Sequence, residues 1–159
     1  MTEDANLRNH LLELLRGKGA HIPFDRAVHA WPEESRGSKP SDAGHSAWQL
    51  LEHMRIAQWD ILKFSKSADH VSPKFPDGYW PETEAPGSSA AWQQSLEAFR
   101  EDAAAMQALV SDPARDLYEP FPWGDGQTLL RETFVVADHN AYHLGQLVQL
   151  RKSLRGESR

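Results

Sequence analysis

The sequence predicts an all-α protein, a four-helix bundle with one short extra helix and long connecting loops. Four segments carry apolar residues at helical spacing, at about residues 4–16, 46–66, 89–110 and 128–152. No segment alternates convincingly between apolar and polar residues, as a half-buried strand would. Four helices with one apolar face each bury those faces most simply in a bundle. The chain has 159 residues, enough for a single domain over residues 1–159 with its own core.

Local signals mark where the helices begin. Ser46 and Gln49 form the Ser-x-x-Gln pattern of a capping box at the start of the second long helix. Thr128 is a favourable N-cap for the fourth. A short helix is predicted at residues 23–31, because a proline suits the first helical turn and apolar residues recur at helical spacing after it.

The connections between the long helices are themselves long. Residues 33–44 are rich in Gly, Pro and Ser and are predicted to form a loop. Residues 68–89 contain several prolines together with Tyr79 and Trp80. A connection of this length is uncommon unless it crosses the fold or has a role of its own. It is therefore either a crossover held down by its aromatic residues or a lid over a site.

Composition argues against several classes of function. The net charge is −6 and the basic residues form no stripe, which disfavours nucleic-acid binding. The chain has no cysteine, so a disulfide scaffold and a thiolate zinc site are excluded. No apolar stretch approaches the roughly 20 residues that span a bilayer, and the acidic start of the chain is unlike a signal peptide. A cytoplasmic protein with no membrane partner is expected.

A row of polar residues lies within the apolar face of the fourth long helix. His139 and His143 are four positions apart, so one lies a turn above the other on the same side. Glu132 and Gln146 share that side, within roughly 60° at about 100° per residue. Apolar residues flank the row, so its members are expected to be buried, and buried polar groups need partners. The two histidines are therefore either satisfied by neighbours or bound to a metal.

The second long helix supplies the matching candidates. His53 lies about 70° from the centre of the apolar stripe, where a neighbouring helix would pack, and Asp60 shares that border. Imidazoles from His53, His139 and His143 would suit Zn²⁺, Ni²⁺, Fe²⁺ or Cu²⁺. Three protein ligands leave a position open for water or substrate, as in catalytic metal sites.

Four polar groups are placed to accept the second ring N–H of a metal-bound histidine, namely Asp60, Glu132, Asp138 and Gln146. Asp60 or Glu132 would alternatively be a fourth ligand or the base of a hydrolytic reaction. Without a metal, the histidines would be satisfied by Asp60, Glu132 and Gln146 in an ordinary bundle core. A zincin protease is excluded, because Asn140 follows the first histidine where those enzymes carry glutamate.

Four segments taken together resemble the DinB-like family (DinB/YfiT-like proteins): SAWQLLEHM at 46–54, WDIL at 59–62, GQTL at 126–129 and ADHNAYHLGQ at 137–146. The resemblance covers nearly the whole chain. It implies a four-helix bundle with the helices in an up-down-down-up order. It also implies a divalent-metal site of three histidines, which maps onto His53, His139 and His143.

The resemblance further implies a divalent-metal-dependent enzyme, because characterised relatives include transferases and isomerases that use a small thiol such as bacillithiol or mycothiol. A thiol-dependent S-transferase, or a related detoxification or stress enzyme, is the first expectation. The expected metal is Zn²⁺ or Ni²⁺, followed by Fe²⁺ or Mn²⁺, and the expected partners are a small electrophile and a low-molecular-weight thiol. A metal-dependent hydrolase and a non-catalytic metal- or ligand-binding bundle are the alternatives. Six tryptophans leave room for an apolar homodimer patch.

Overall fold

The computed structural model describes residues 2–40 and 44–156, and within these the chain forms helices and no strand. The helices are α1 (Glu3–Leu15), α2 (Phe24–Val28), α3 (Ala47–Phe64), α4 (Ser89–Ser111) and α5 (Leu129–Leu154). The predicted all-α class is confirmed. Positions 41–43 of the predicted 33–44 loop lie outside the described residues, as do 1 and 157–159 of the predicted domain. None of the described helices has the length and hydrophobicity needed to cross a bilayer.

The predicted helix starts are set by side-chain caps. The Ser46 hydroxyl accepts from the Gln49 backbone N–H at 3.2 Å, and the Gln49 side chain accepts from the Ser46 N–H at 3.0 Å. This reciprocal pair is the capping box, and it satisfies two backbone donors that a helix start leaves unpaired. The Thr128 hydroxyl accepts from the Arg131 N–H at 3.2 Å at the start of α5.

The apolar faces of the helices meet in two clusters of buried side chains. One cluster is built around Leu50, Leu51, Met54, Trp92, Leu96, Phe99, Leu144, Leu147 and Leu150. The other contains Leu11, Leu62, Met106, Leu109, Val110, Leu117, Leu129 and Val136. On α5, both histidines lie between Val136 of the second cluster and Leu144 of the first. The two histidines therefore occupy the middle of the helix, between its two apolar ends.

Helices α3 and α4 run in the same direction. The Ser95 hydroxyl donates to Glu52 Oε1 at 2.6 Å, and the Gln58 amide donates to the Phe99 carbonyl at 2.8 Å. Residue numbers therefore increase together along the two helices. The connection between them, residues 65–88, must return from one end of the bundle to the other, which explains its length.

Helices α1 and α5 run opposite to that pair. Arg8, within α1, donates to the Val110 carbonyl at 2.7 Å, and Arg16, just after the end of α1, donates to the Gln107 side chain at 2.8 Å. Residue numbers therefore rise along α1 while those of its partners fall along α4. Leu129, the first residue of α5, packs in the cluster formed where α3 and α4 end. The order of directions is therefore up-down-down-up for α1, α3, α4 and α5, as the family resemblance implied.

The short helix is smaller than the sequence predicted. It was expected over residues 23–31, but α2 covers only Phe24–Val28. The backbone turns at Ala30, whose φ of 46° is incompatible with a continuing right-handed helix. Arg151 from α5 donates to the Ala30 carbonyl at 3.1 Å and holds this turn. Trp31 is still buried in the core. The spacing of the apolar residues therefore predicted correctly that Trp31 is buried, but not that it is helical.

Candidate metal centre

Three histidines from two helices converge inside the bundle. His53 comes from α3, and His139 and His143 come from α5. One ligand nitrogen from each ring lies within 4.8 Å of the others, and the Nε2 atoms of His53 and His139 are 3.0 Å apart. Among the described residues, this is the group of three or more potential ligands placed to hold a metal ion. The structure thus brings together the three residues that the sequence singled out.

The ring nitrogens that face away from the centre have partners of their own. Nδ1 of His53 lies 2.9 Å from the Tyr79 carbonyl, and Nδ1 of His143 lies 2.7 Å from Gln146 Oε1. A backbone carbonyl only accepts, and Gln146 presents its carbonyl oxygen, so each Nδ1 carries the hydrogen and each Nε2 keeps a lone pair. Gln146 was a predicted partner and Tyr79 was not, whereas the predicted Asp138 is exposed.

His139 is held differently, through an amide pair. Asn140 donates to Gln58 Oε1 at 2.9 Å, and Gln58, which is almost completely buried, donates to the Phe99 carbonyl at 2.8 Å. Asn140 also interacts with the His139 ring, and this interaction favours the charged ring. In the described structure, the buried Oδ1 atom of Asn140 lacks a hydrogen-bond partner.

This donor set fits a divalent cation. His53 already carries its hydrogen on Nδ1, so its Nε2 lone pair faces His139 Nε2 at 3.0 Å. In the metal-free protein, a hydrogen on His139 Nε2 must fill that contact. To hold a cation, His139 Nε2 would have to present its lone pair in place of that hydrogen, and the neighbouring Asn140 has a buried Oδ1 atom without a hydrogen-bond partner. Neutral imidazoles of this kind suit borderline metals such as Zn²⁺ and Ni²⁺.

The surroundings keep the three rings neutral. Burial, and then the neighbouring His143 and His53, lower the pKa of His139 to about 4. Burial also lowers the pKa of His53 and of His143, against the opposing effect of the hydrogen bonds to Tyr79 and Gln146. A neutral imidazole is the form that binds metal. Near neutral pH all three rings are therefore ready to act as ligands.

An aromatic residue of the long connection covers His53. The Trp80 ring stacks on His53 at 3.8 Å with an interplanar angle of 1°, and it also stacks on His45 at 4.0 Å. His45 directly precedes Ser46, the N-cap of α3, and its ring belongs to this stack. The segment 65–88 is thus held against the bundle by aromatic contacts, at the metal centre itself. The sequence drew attention to Tyr79 and Trp80 in a long loop, but it did not indicate that they would contact His53.

The two predicted carboxylates do not join the three histidines. Asp60 is buried, and its two oxygens accept from His70 Nε2 at 2.7 Å and from the Tyr79 hydroxyl at 2.5 Å. Glu132 is also buried, and it pairs with Arg131. Neither belongs to the group whose ligand atoms lie within 4.8 Å of one another. The structure therefore places both carboxylates in other interactions.

Comparison with known proteins supports the helical fold. No curated protein and no solved structure matches the chain. Residues 23–147, which run from the start of the α2 region to the last turns of α5, match the family model of the DinB superfamily. The matched stretch contains all three histidines of the centre. The match covers most of the chain, and the chain belongs to the DinB superfamily.

Proposed function

We propose that this protein is a divalent-metal-dependent enzyme, most simply a thiol S-transferase of a detoxification or stress response. The observation that carries the proposal is the convergence of His53, His139 and His143, with the outward nitrogens of two rings tied to carbonyl oxygens. Outer hydrogen bonds of this kind orient metal ligands. Three protein ligands leave a coordination position for a substrate.

A thiol from outside the chain is the nucleophile that fits the composition. The protein has no cysteine, so any sulfur nucleophile must arrive as a low-molecular-weight thiol. A bound divalent ion such as Zn²⁺ or Ni²⁺ lowers the pKa of a thiol or water placed against it. In the transfer, the thiolate sulfur forms a bond to an electrophilic carbon. A halide leaves with its electron pair, or an epoxide oxygen takes up the proton as its C–O bond opens.

The positions of the carboxylates favour a thiol over water as the nucleophile. Hydrolysis calls for a base that takes a proton from water, and Asp60 and Glu132 were the candidates. Both oxygens of Asp60 already accept hydrogen bonds, and Glu132 pairs with Arg131. A thiol has a pKa of about 8.5, against about 15.7 for water, so it needs far less help to ionise. The hydrolase alternative is therefore the weaker one.

A second candidate function is a metal- or ligand-binding bundle without catalysis. The observation that favours it is the Trp80 ring, which lies flat against His53 and covers one face of the centre. This candidate predicts that the protein binds metal but does not convert any substrate.

The test is a conjugation assay with defined metals. Metal-free protein is loaded with Zn²⁺, Ni²⁺, Mn²⁺ or Fe²⁺ and mixed with a panel of small thiols and with epoxides, alkyl halides or chloronitrobenzenes. We expect turnover in at least one combination, lost in His143→Ala and kept in His10→Ala, whose ring is exposed on α1. Metal binding without turnover in every combination would leave the binding module instead. Elemental analysis of protein purified without an affinity tag would identify the resident metal.

A further inference from the structure

One residue of the long connection links a buried carboxylate to the metal centre. The Tyr79 hydroxyl donates to Asp60 Oδ2 at 2.5 Å, while the carbonyl of the same residue accepts from His53 Nδ1 at 2.9 Å. Asp60 and His53 are two turns apart on α3, so Tyr79 spans the helix surface between them. The position of the carbonyl that orients His53 is therefore set by where Asp60 holds the phenol.

Asp60 fixes the connecting segment at a second point as well. Its Oδ1 atom accepts from His70 Nε2 at 2.7 Å, and His70 packs edge-on against Trp59. The Asp60 and His70 side chains are only 11% and 9% exposed. Because a buried polar group left without its partner is costly, this pair resists opening. One carboxylate thus attaches the segment to α3 on both sides of its middle.

The direction of the Tyr79 contact is also defined. A phenol has an ordinary pKa of about 10, so near neutral pH the Tyr79 hydroxyl carries its hydrogen. The phenol therefore remains protonated and donates, and the carboxylate accepts. Because both oxygens of Asp60 accept hydrogen bonds, the carboxylate holds the segment in place and has no free oxygen to take a proton from a substrate.

We propose that Asp60 is a positioning residue of the metal centre, which acts through Tyr79 to hold the hydrogen of His53 on Nδ1 and to leave Nε2 free for a metal. This inference rests on the proposed metal-dependent function. It assigns Asp60 a role three contacts away from the cation, through Tyr79 and His53, in place of the base or fourth-ligand role that the sequence suggested. It also gives the long connection a function, because the segment supplies an outer contact of the site.

The first measurement is the affinity for Zn²⁺, by competition with a chromophoric chelator, in the full-length protein. We expect Tyr79→Phe and Asp60→Asn to weaken Zn²⁺ binding by about 10-fold, the lower end of the effect of losing an outer contact of a ligand, because both variants keep the Tyr79 carbonyl and only release its position. Asp77→Asn is the matched control, because Asp77 is an exposed carboxylate in the same segment. Its affinity for Zn²⁺ should equal that of the wild type.

The second measurement separates positioning from a general loss of structure. In metal-free protein labelled with ¹⁵N at histidine, the His53 ring should show a protonated Nδ1 and a bare Nε2, identified by comparison with His53→Asn. In Tyr79→Phe and Asp60→Asn we expect both tautomers of His53, while the His143 ring, held by Gln146, keeps its single form.

Unchanged His53 tautomers in both variants would overturn the proposal, even if Zn²⁺ binding fell, because the loss would then reflect only stability. Unchanged Zn²⁺ affinity would overturn it as well. Failure of the proposed function looks different. Wild-type protein would then bind Zn²⁺, Ni²⁺, Mn²⁺ or Fe²⁺ without turnover, or bind none of them, although the ring nitrogens of His53 would still respond to Tyr79→Phe.

Discussion

The Nε2 atoms of His53 and His139 lie 3.0 Å apart, although the two residues are 86 positions apart in the chain. Two lone pairs would repel each other at that distance, so the contact requires a proton or a cation between the rings. In the metal-free protein the His139 ring supplies the proton, since His53 donates its own to Tyr79. A metal ion would replace that single hydrogen bond by bonds to three imidazoles, which has consequences for stability.

Added metal should stabilise the folded protein. A ligand that binds only the folded state at 100 times its Kd contributes about 2.7 kcal/mol. For a chain of this size, that corresponds to a rise in Tm of about 5–10 °C. Differential scanning fluorimetry of metal-free protein with Zn²⁺ or Ni²⁺ measures the shift, and a chelator should reverse it. His143→Ala should abolish the shift, whereas His10→Ala should leave it intact. An equal shift in both variants would mean that the metal binds elsewhere.

Metal-free protein should lose stability as the pH falls from about 6.5, the ordinary pKa of histidine, towards about 4, the pKa of the partly buried His139. In this window the unfolded chain binds a proton that the folded protein resists, so acid favours unfolding. The stability that comes from keeping His139 neutral is fully present above about pH 6.5 and is lost below about pH 4. Urea unfolding at several pH values should show a shallower dependence in His139→Asn than in wild type. His10→Asn should follow the wild type, because His10 is exposed.

The sequence was sufficient for the four long helices and for the helix faces on which the three histidines lie, for a physical reason. Both depend on periodicity along one helix, which is a local property of the chain. His139 and His143 share a face because they are four positions apart, and His53 lies on the border of a stripe that must pack against a neighbour. Caps such as Ser46 and Thr128 are equally local. Because these patterns depend on residues close together in the chain, they can be interpreted without knowing how the helices pack.

The outer contacts of the site could not be obtained in this way. Tyr79 and Trp80 lie at the end of one short 3-10 turn in a mostly irregular segment, where no extended period relates sequence position to side-chain direction. Their contacts with His53 depend on how residues 65–88 cross the bundle, which is decided by tertiary packing. Asp60 was correctly placed at a buried border, but its partners, among them His70, lie in that same segment. The short helix α2 was overestimated because Arg151, from the far end of the chain, fixes the turn after it.

Arg8 should be important for the stability of the bundle, although the sequence did not single it out. Its side chain is only 9% exposed, and its guanidinium donates to the carbonyls of Val110, Asp112 and Arg115 at 2.7–3.1 Å. These are groups at and beyond the end of α4. Arg8→Met should lower the free energy of unfolding by about 2–4 kcal/mol in urea titrations. Arg26→Met, at an exposed position on α2, should change it by less than about 0.5 kcal/mol.

Gln58 should matter for both stability and the metal centre, because it links α4 to the residue beside His139. It is 2% exposed, donates to the Phe99 carbonyl and accepts from Asn140. Gln58→Ala leaves the Asn140 amide without its acceptor, so we expect a loss of about 1–3 kcal/mol in urea unfolding. We also expect weaker Zn²⁺ binding, since Asn140 is no longer held beside His139. The exposed Gln94→Ala on α4 serves as the control. A stable Gln58→Ala variant with wild-type Zn²⁺ affinity would show that the amide pair has no part in orienting His139.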